Sequence, residues 1–494
     1  MNLKNSIDKH ALLFFLLIPL VSTVLHWRIF TTDLMGVHLW RQSQTAINIQ
    51  NFYRHDFNIM NPRNNSFNGG RDNIMRFEFP IMQWLVAAAH KIFGESIAIT
   101  RISMFFLGIL GVLGVYFLLK WLWNDKIVAL LGAWAFNFSP VFYYYTMNPL
   151  PDVFALCSTI WAMAFFFRYL KTAQYSAILL SALFLAIATL AKLPYIIFGS
   201  MVGIYVLQQL VKKGFGALKN VLSISSTFIL LLIPAFFWYK WVIPTWGNNG
   251  VLKGVFDNQV PLSKTLAIFR FHAFELLPKL LLNYAAVLFF FIGLFFMLKN
   301  KTYKQSKWAI LAASGLSVLV YFLFEFNMID VIHDYYMLPF LPPLFVIVAY
   351  GIKQFWRIND VTRSITMVLL LSLPFFAFRA VDNYWSIEKS GLNVDLMKNK
   401  DALRKAVPSD AICIMLSSDV STHAFSYQID KQGHIFIEGN LPPDWIEDMI
   451  RRFGVRYMYS EDKKMNENPV IQPFIDSLIM ECGSVKVFKL KDLK

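Results

Sequence analysis

Apolar runs approaching twenty residues, separated by small basic clusters, constrain this chain more than any other feature. They fall at about 11–30, 100–119, 127–142, 152–169, 175–190, 194–211, 221–239, 279–298, 308–325, 335–352 and 363–381. A bilayer core accepts about twenty apolar residues per helix, and backbone amides inside it must be paired within the segment. The pattern therefore predicts an all-α polytopic membrane protein of about eleven transmembrane helices. The runs at 127–142 and 175–190 are short, as tilted, half-buried or broken helices would be. Composition agrees, with 56% hydrophobic, 17% aromatic and only 16% charged residues, against about a quarter charged in soluble domains.

The net charge of +15 would suggest a nucleic-acid partner in a soluble protein. No nucleic-acid motif accompanies it, and the basic residues flank apolar runs, so no nucleic-acid role is expected. With the amino terminus inside, the inner loops carry Lys120 and Lys126; Arg168 and Lys171; Lys212, Lys213 and Lys219; Lys299, Lys301, Lys304 and Lys307; and Lys353, Arg357 and Arg363. Five consecutive basic inner loops satisfy the positive-inside rule. Lys4 and Lys9 precede the apolar stretch Ala11–Leu25 without a small-x-small cleavage site, which predicts an uncleaved first span. The outer side then receives 31–99, 143–151, 240–278, 326–334 and everything after about 382.

Two domains follow: a transmembrane domain, 1–383, and a polar tail, 384–494. In the first outer loop, Ala46, Ile49 and Tyr53, joined by Phe52, form one helical stripe, and Ile81, Trp84, Leu85, Ala88 and Ile92 form another. Both predict amphipathic helices in the membrane interface, joined by the turn-rich segment 61–70. The tail has β-leaning runs at Ala411–Leu416, Val455–Ser460 and Ser484–Leu490 and a helical stretch at Pro443–Arg452, so a small α/β soluble domain is expected. The three cysteines lack metal-ligand spacing. Cys157 reads as a small packed residue, and pairing of Cys413 with Cys482 stays open.

Polar residues gather at the outer mouths of the predicted helices. Asp33, His38, Trp40, Arg41 and Gln42 follow the first span, either as an interfacial anchor or as the lining of a site. Arg76-Phe-Glu78-Phe-Pro80 opens the second interfacial helix, and Glu78 between two phenyl rings is either a helix-terminus charge or a desolvated carboxylate base. Pro151-Asp152 precedes a span, where Asp152 either caps the helix or serves a site. Lys192, in Ala191-Lys192-Leu-Pro194, is an outer-side cation between apolar runs, matched either to a phosphate or to lipid headgroups. His333-Asp334-Tyr335-Tyr336 precedes a proline-interrupted span, where irregular backbone is tolerated beside a cavity.

In their order and sidedness, these motifs resemble the polyprenyl-phosphate-sugar-dependent glycosyltransferases of the GT-C fold. The likeness is greatest to the bacterial relatives of protein mannosyltransferases and of lipid A aminoarabinose transferase. It runs over roughly residues 10–350, through Trp40-Arg41-Gln42, Phe77-Glu78-Phe79-Pro80, Pro151-Asp152, Ala191-Lys192-Leu-Pro194 and His333-Asp334-Tyr335-Tyr336 with Pro339. One departure stands out: that family carries an acid shortly before the arginine, whereas His38, Leu39 and Trp40 precede Arg41 here and the nearest earlier acid is Asp33.

The resemblance implies a multi-pass protein of the bacterial inner membrane, with its active site and tail on the periplasmic side. It would transfer a hexosyl or pentosyl group from a polyprenyl-phosphate donor to a lipid, glycan or protein acceptor. Glu78 is the first choice for general base, with His38 or Asp33 as substitutes; Asp152 would orient acceptor or sugar; Lys192 and His333 would meet phosphate; Trp40, Arg41, Gln42, Asp334 and Tyr335 would line the site. A divalent metal is a possible cofactor. A transporter or flippase of lipid-linked glycans would instead show midplane charges and related halves. An oligosaccharide ligase or polymerase would differ in using a lipid diphosphate.

Overall fold

The computed structural model describes residues 9–67, 72–246, 261–330, 333–418, 421, 423–437, 441–462 and 464–493. The chain enters through α1 (Lys9–Leu25) and passes through α2 (Leu39–Arg54) and α3 (Ile81–Phe93). The bundle continues through α4 (Ile97–Trp123), α5 (Lys126–Asn137), α6 (Pro140–Tyr145), α7 (Pro151–Thr172), α8 (Tyr175–Ala191), α9 (Ser200–Lys213) and α10 (Leu218–Val242). It closes with α11 (Leu262–Phe271), α12 (Ala285–Lys299), α13 (Ser306–Phe324), α14 (Phe326–Ile329), α15 (Leu341–Trp356) and α16 (Asp360–Val381).

Among the described residues, six helical stretches are long and apolar enough to cross a membrane, or seven if a pair bent by 111° at residues 282–284 counts as one span. This is fewer than the eleven expected. The helix α5 has 12 residues, too few to cross a bilayer alone, and α8 has 17, at the lower limit for crossing; the first apolar helix is short as well. The two runs expected at 194–211 and 221–239 lie in one stretch, Leu193–Trp246, interrupted at Gly214, whose φ of +51° is a glycine conformation. Where α4 meets α7, a Cβ on Gly111 would lie 2.3 Å from Cys157 Sγ, so small residues let the helices close up.

The basic clusters converge at one end of the bundle. There Lys307 and Lys353 donate to the Leu122 and Trp123 carbonyls (both 3.3 Å), Lys171 donates to Asn124 Oδ1 (2.6 Å), and Arg357 faces Asp125 at 3.3 Å. From this end α7, 22 residues long, rises about 33 Å to Asp152 in its first turn at the other end.

The tail contains α17 (Val394–Lys405), α18 (Ala424–Ile429) and α19 (Pro443–Phe453), with β1 (Ile412–Ser417), β2 (Gln432–Ile437), β3 (Tyr457–Ser460), β4 (Ile475–Cys482) and β5 (Val485–Leu490). The sheet order is β2-β1-β3-β5-β4, parallel across β2-β1-β3 and antiparallel from β3 to β4. The strands β2 and β4 escape the sequence pattern, because β2 opens Gln432-Gly433-His434 and β4 is a half-exposed edge carrying Asp476, Ser477 and Glu481. Cys413 in β1 and Cys482 in β4 are separated by two intervening strands, about 14 Å at normal strand spacing. Both are free thiols, beyond disulfide reach.

The helix α2 does not lie in a lipid interface. Leu39, Ala46 and Ile47 pack with Met397, Ala424 and Tyr427 of the tail, while Ile49 and Phe52 join the core of the bundle. A helix covered on both sides can carry buried polar residues, and Arg41, Gln42, Ser43, Thr45 and Asn51 are all buried. The helix α3 is half-covered, with Met82, Val86 and Ala87 inside and Ile92 and Phe93 outside.

Candidate active site

Five segments far apart in sequence supply one cluster at the end of the bundle opposite the basic loops. The turn before α2 is set by Gly36 (φ +93°), where a Cβ would stand 1.7 Å from the Tyr384 carbonyl oxygen. Val37 N–H donates to that same oxygen at 3.0 Å. The next turn places His38 in the left-handed region (φ 57°), leading into α2 and Arg41.

Indole donors hold the segment bearing Glu78. Trp238 Nε1 donates to the Phe77 carbonyl and Trp246 Nε1 to the Arg76 carbonyl, each at 3.0 Å, while Phe79 N–H donates to the Leu190 carbonyl at 3.1 Å. Glu78 is thereby brought beside Lys192, which follows the last residue of α8.

Glu78 Oε1 accepts from Arg41 Nη2 at 2.7 Å and from Lys192 Nζ at 2.8 Å. Lys192 Nζ also lies 3.5 Å from Asp152 Oδ1 and 5.4 Å from the centre of the Tyr336 ring, a cation–π contact. Burial alone would raise the Glu78 carboxyl, but the Arg41 and Lys192 charges override it and hold it well below the usual carboxylate range. Burial would lower Lys192, yet Asp152 and Glu78 raise it, so it stays charged. Asp152 Oδ2 is buried and has no hydrogen-bond partner among the described residues. Asp152 does not cap α7, whose N-cap is Leu150.

Beside this charged cluster, His38 Nε2 lies 3.1 Å from Asp334 Oδ1, both residues being buried. Tyr145 OH also donates to Asp334 Oδ1. Tyr335 packs edge-on against His38 at 5.0 Å and lies 4.8 Å from Tyr336, linking this pair to Lys192. His333 stacks on His38 at 5.9 Å, and Trp40 stands edge-on to His333 at 5.8 Å. His333 Nδ1 is occupied by the Met328 carbonyl, and burial lowers its pKa.

Three expected site residues take other positions or other partners. Asp33 faces the tail, where Lys400 and Arg404 hold it, the latter at 3.9 Å. Burial would raise its carboxyl, but the Lys400 contact wins and lowers it. Gln42 Nε2 donates inward, to the Val37 carbonyl at 2.8 Å. Glu78 is desolvated, as its phenyl neighbours suggested, but a carboxylate shared by two cations is a poor proton acceptor. Among the described residues no group of three or more His, Cys, Asp or Glu is arranged around a common point. Glu78 and Asp152 both face Lys192, and Glu78 also meets Arg41, so these two carboxylates are paired with cations.

A cavity of about 580 Å³ opens beside Lys192. Lys192, Glu78, Tyr336 and Glu325 stand in its lining, with Leu316, Val320, Phe324 and Ile196 among the apolar walls. Leu316 and Val320 are 62% and 58% exposed, so the apolar walls continue onto the outer surface of the bundle.

In sequence, residues 78–238 match the family described as dolichyl-phosphate-mannose-protein mannosyltransferase. That stretch holds Glu78, Asp152 and Lys192 but not His38, Arg41 or Asp334. No curated protein matches the chain significantly in sequence. In structure, the chain is similar to ArnT from Cupriavidus metallidurans solved with undecaprenyl phosphate bound, with a TM-score of 0.67 and 11% identity over 98% of each chain. It is also similar to the Archaeoglobus fulgidus oligosaccharyltransferase, with a TM-score of 0.60 and 12% identity over 96% of this chain and 73% of that one. The arabinofuranosyltransferase AftD from Mycobacteria matches at a TM-score of 0.56 and 11% identity, over 99% of this chain and 42% of that one. The chain has the GT-C fold. The likeness at this identity is one of fold, and the GT-C resemblance read from the motifs holds at that level.

Two further buried residues of this fold carry weak sequence signals. Arg101, fully buried in α4, donates to the Thr32, Asp33 and Met147 carbonyls and to Asn148 Oδ1 within 3.0 Å, fastening the start of the first loop to the α6–α7 turn. Glu325 follows the last residue of α13 and lines the cavity. The expected span 308–325 swallowed it, although Phe324-Glu325-Phe326 repeats the Phe77-Glu78-Phe79 pattern.

Burial pushes the Glu325 carboxyl up to about 7, with Lys192 only partly opposing it. A folded-state pKa raised above the unfolded value of about 4.3 means that stability falls as pH rises from about 4.3 to about 7, then levels off. Glu325→Gln, neutral at every pH, should therefore melt at a higher temperature than the parent at pH 8, with the gap closing towards pH 4. Melting curves in detergent that run parallel across this range would show that the carboxyl is not held protonated.

Proposed function

We propose that the protein transfers a sugar from a polyprenyl-phosphate donor to an acceptor hydroxyl at the membrane face opposite its basic loops. One observation carries this reading: a cavity of about 580 Å³ whose walls are apolar and open at the bundle surface, with Lys192 in its lining. A lipid tail needs such walls, and a phosphate needs the cation. The bound undecaprenyl phosphate in the ArnT relative supports a donor of this class.

Lys192 and Arg41 meet the donor phosphate, and they stabilise the negative charge that grows on it as the glycosidic C–O bond breaks. Glu78 holds these cations in place and charged while the site is empty. Asp152, with one oxygen near Lys192 and the other unpartnered, orients the incoming hydroxyl or the sugar. His333, Trp40 and Tyr335 wall the reacting end. The basic loops at the opposite end support a periplasmic position for this face in a bacterial inner membrane. The acceptor is a lipid, a glycan or a protein.

Incubating the purified protein with radiolabelled polyprenyl-phosphate hexoses and pentoses, in the presence of membrane extract, tests the reading. Label should move from the donor to one acceptor fraction, releasing polyprenyl phosphate. Transfer only from lipid-diphosphate glycans would make the protein a ligase, and no transfer or donor binding would overturn the proposal.

A further inference from the structure

Resting on the proposed transfer, we infer that His38, oriented by Asp334, is the group that takes the proton from the acceptor hydroxyl. A sugar acceptor hydroxyl is a weak nucleophile, and a positioned base within reach is the ordinary way to activate it. The other described carboxylates near the site are differently employed: Asp152 shares Lys192 at 3.5 Å and in the proposed transfer orients acceptor or sugar, and burial pushes the Glu325 carboxyl up to about 7. Glu78 is shared by Arg41 and Lys192 at 2.7 and 2.8 Å, and Asp33 is turned to the tail and held by Lys400.

His38 has the geometry of a base. Its Nε2 lies 3.1 Å from Asp334 Oδ1, and an ionised carboxylate only accepts hydrogen bonds, so the proton sits on Nε2. The lone pair is then on Nδ1, which has no hydrogen-bond partner among the described residues. Tyr145 OH donates to the same Asp334 oxygen and helps to fix that carboxylate. The positive φ of 57° at His38 is uncommon outside glycine, and such backbone persists where the surroundings enforce it. Here the enforcement comes from Gly36 pressed against Tyr384 and from the start of α2. The other titratable groups facing the imidazole are His333 and Tyr145, both stacked on it, and Tyr335 at its edge.

The step balances. The acceptor oxygen bonds to the anomeric carbon as its proton passes to Nδ1. The bond from that carbon to the donor phosphate oxygen breaks, and its electron pair leaves with the phosphate, beside Lys192 and Arg41. The imidazolium so formed is paired with Asp334 and returns its proton to water. Asp334 is a positioning residue, since it acts through His38.

Steady-state kinetics of His38→Gln, His38→Ala and Asp334→Asn test the inference. For His38→Gln, kcat should fall about 10²- to 10⁴-fold with the donor KM within about threefold, and the acidic limb of the kcat/KM profile should vanish. Added imidazole should restore part of the activity of His38→Ala, which a merely structural role for His38 would not allow. Asp334→Asn should lower kcat and move the acidic limb rather than abolish it. Near-normal turnover by His38→Gln, or loss of the acidic limb in Asp152→Asn instead, would overturn the assignment. Donor binding by the unmodified protein separates the two readings. If it binds and turns over donor while His38→Gln does the same, only the base is wrong. If it never binds donor, the proposed function itself falls.

Discussion

Replacing Lys192 with methionine is expected to weaken binding of a polyprenyl-phosphate sugar by about 10- to 100-fold. The side chain stays long and apolar enough to fill its place, so the change removes charge with little change of shape. A hydrogen bond to a charged group contributes about 1.5–3 kcal/mol, and each 1.4 kcal/mol is a factor of ten. Lys192 is the cation in the cavity lining, and its neighbours Glu78 and Asp152 would repel a phosphate once it is gone. Lys192→Arg, which keeps the charge on a longer fork, should retain more affinity than the methionine variant. Titration of a fluorescent donor analogue in detergent measures all three proteins. Equal affinity across them would assign Lys192 to holding Glu78 and Asp152 and nothing else.

The residues of this cluster could be found in the sequence as deviations from a membrane pattern. Lys192 breaks the positive-inside trend, Glu78 sits between two rings, and His333-Asp334 precedes a span whose helix carries prolines. Which of them meet could not be found that way. Glu78 pairs with residues 37 and 114 positions away, and no local spacing encodes such contacts. A desolvated carboxylate and a doubly paired one have the same neighbours in sequence but opposite proton affinities. The position of Asp33 was hidden for a related reason, because its partner Lys400 lies in the tail.

Helix existence was legible and helix crossing less so. The apolar runs mark helices well, but a run such as 127–142 becomes the 12-residue α5, buried inside the bundle. Burial by protein satisfies an apolar stretch as well as lipid does, so hydropathy alone does not fix the number of spans. The interfacial reading of α2 failed in the same way. Its apolar stripe was real, but the stripe is covered by protein rather than lipid, Ala46 with Leu39 and Ile47 by the tail and Ile49 with Phe52 by the bundle, and a stripe does not reveal what covers it.

Glu78→Gln should produce the largest loss of stability of any single change at the site, and the loss should be reversed in part by ligand. The carboxylate is buried between two cations. Removing one partner of a buried ionic cluster costs about 3–5 kcal/mol, because the remaining charges are left uncompensated. Asp152 stays within 3.5 Å of Lys192, so compensation is partial. The melting temperature should fall by about 3–5 °C. Because Arg41 and Lys192 hold the Glu78 carboxyl well below its ordinary value, its contribution is present above the unfolded pKa of about 4.3 and is lost only at still lower pH. The gap between parent and variant should therefore persist unchanged from pH 7 to pH 5. A polyprenyl phosphate added in excess supplies the missing negative charge, and it should raise the melting temperature of the variant by more than it raises that of the parent. A catalytic base would behave otherwise: its Gln variant would melt normally, bind lipid phosphate normally and lose only kcat. That outcome would return Glu78 to the proton-transfer step and leave His38 as its neighbour.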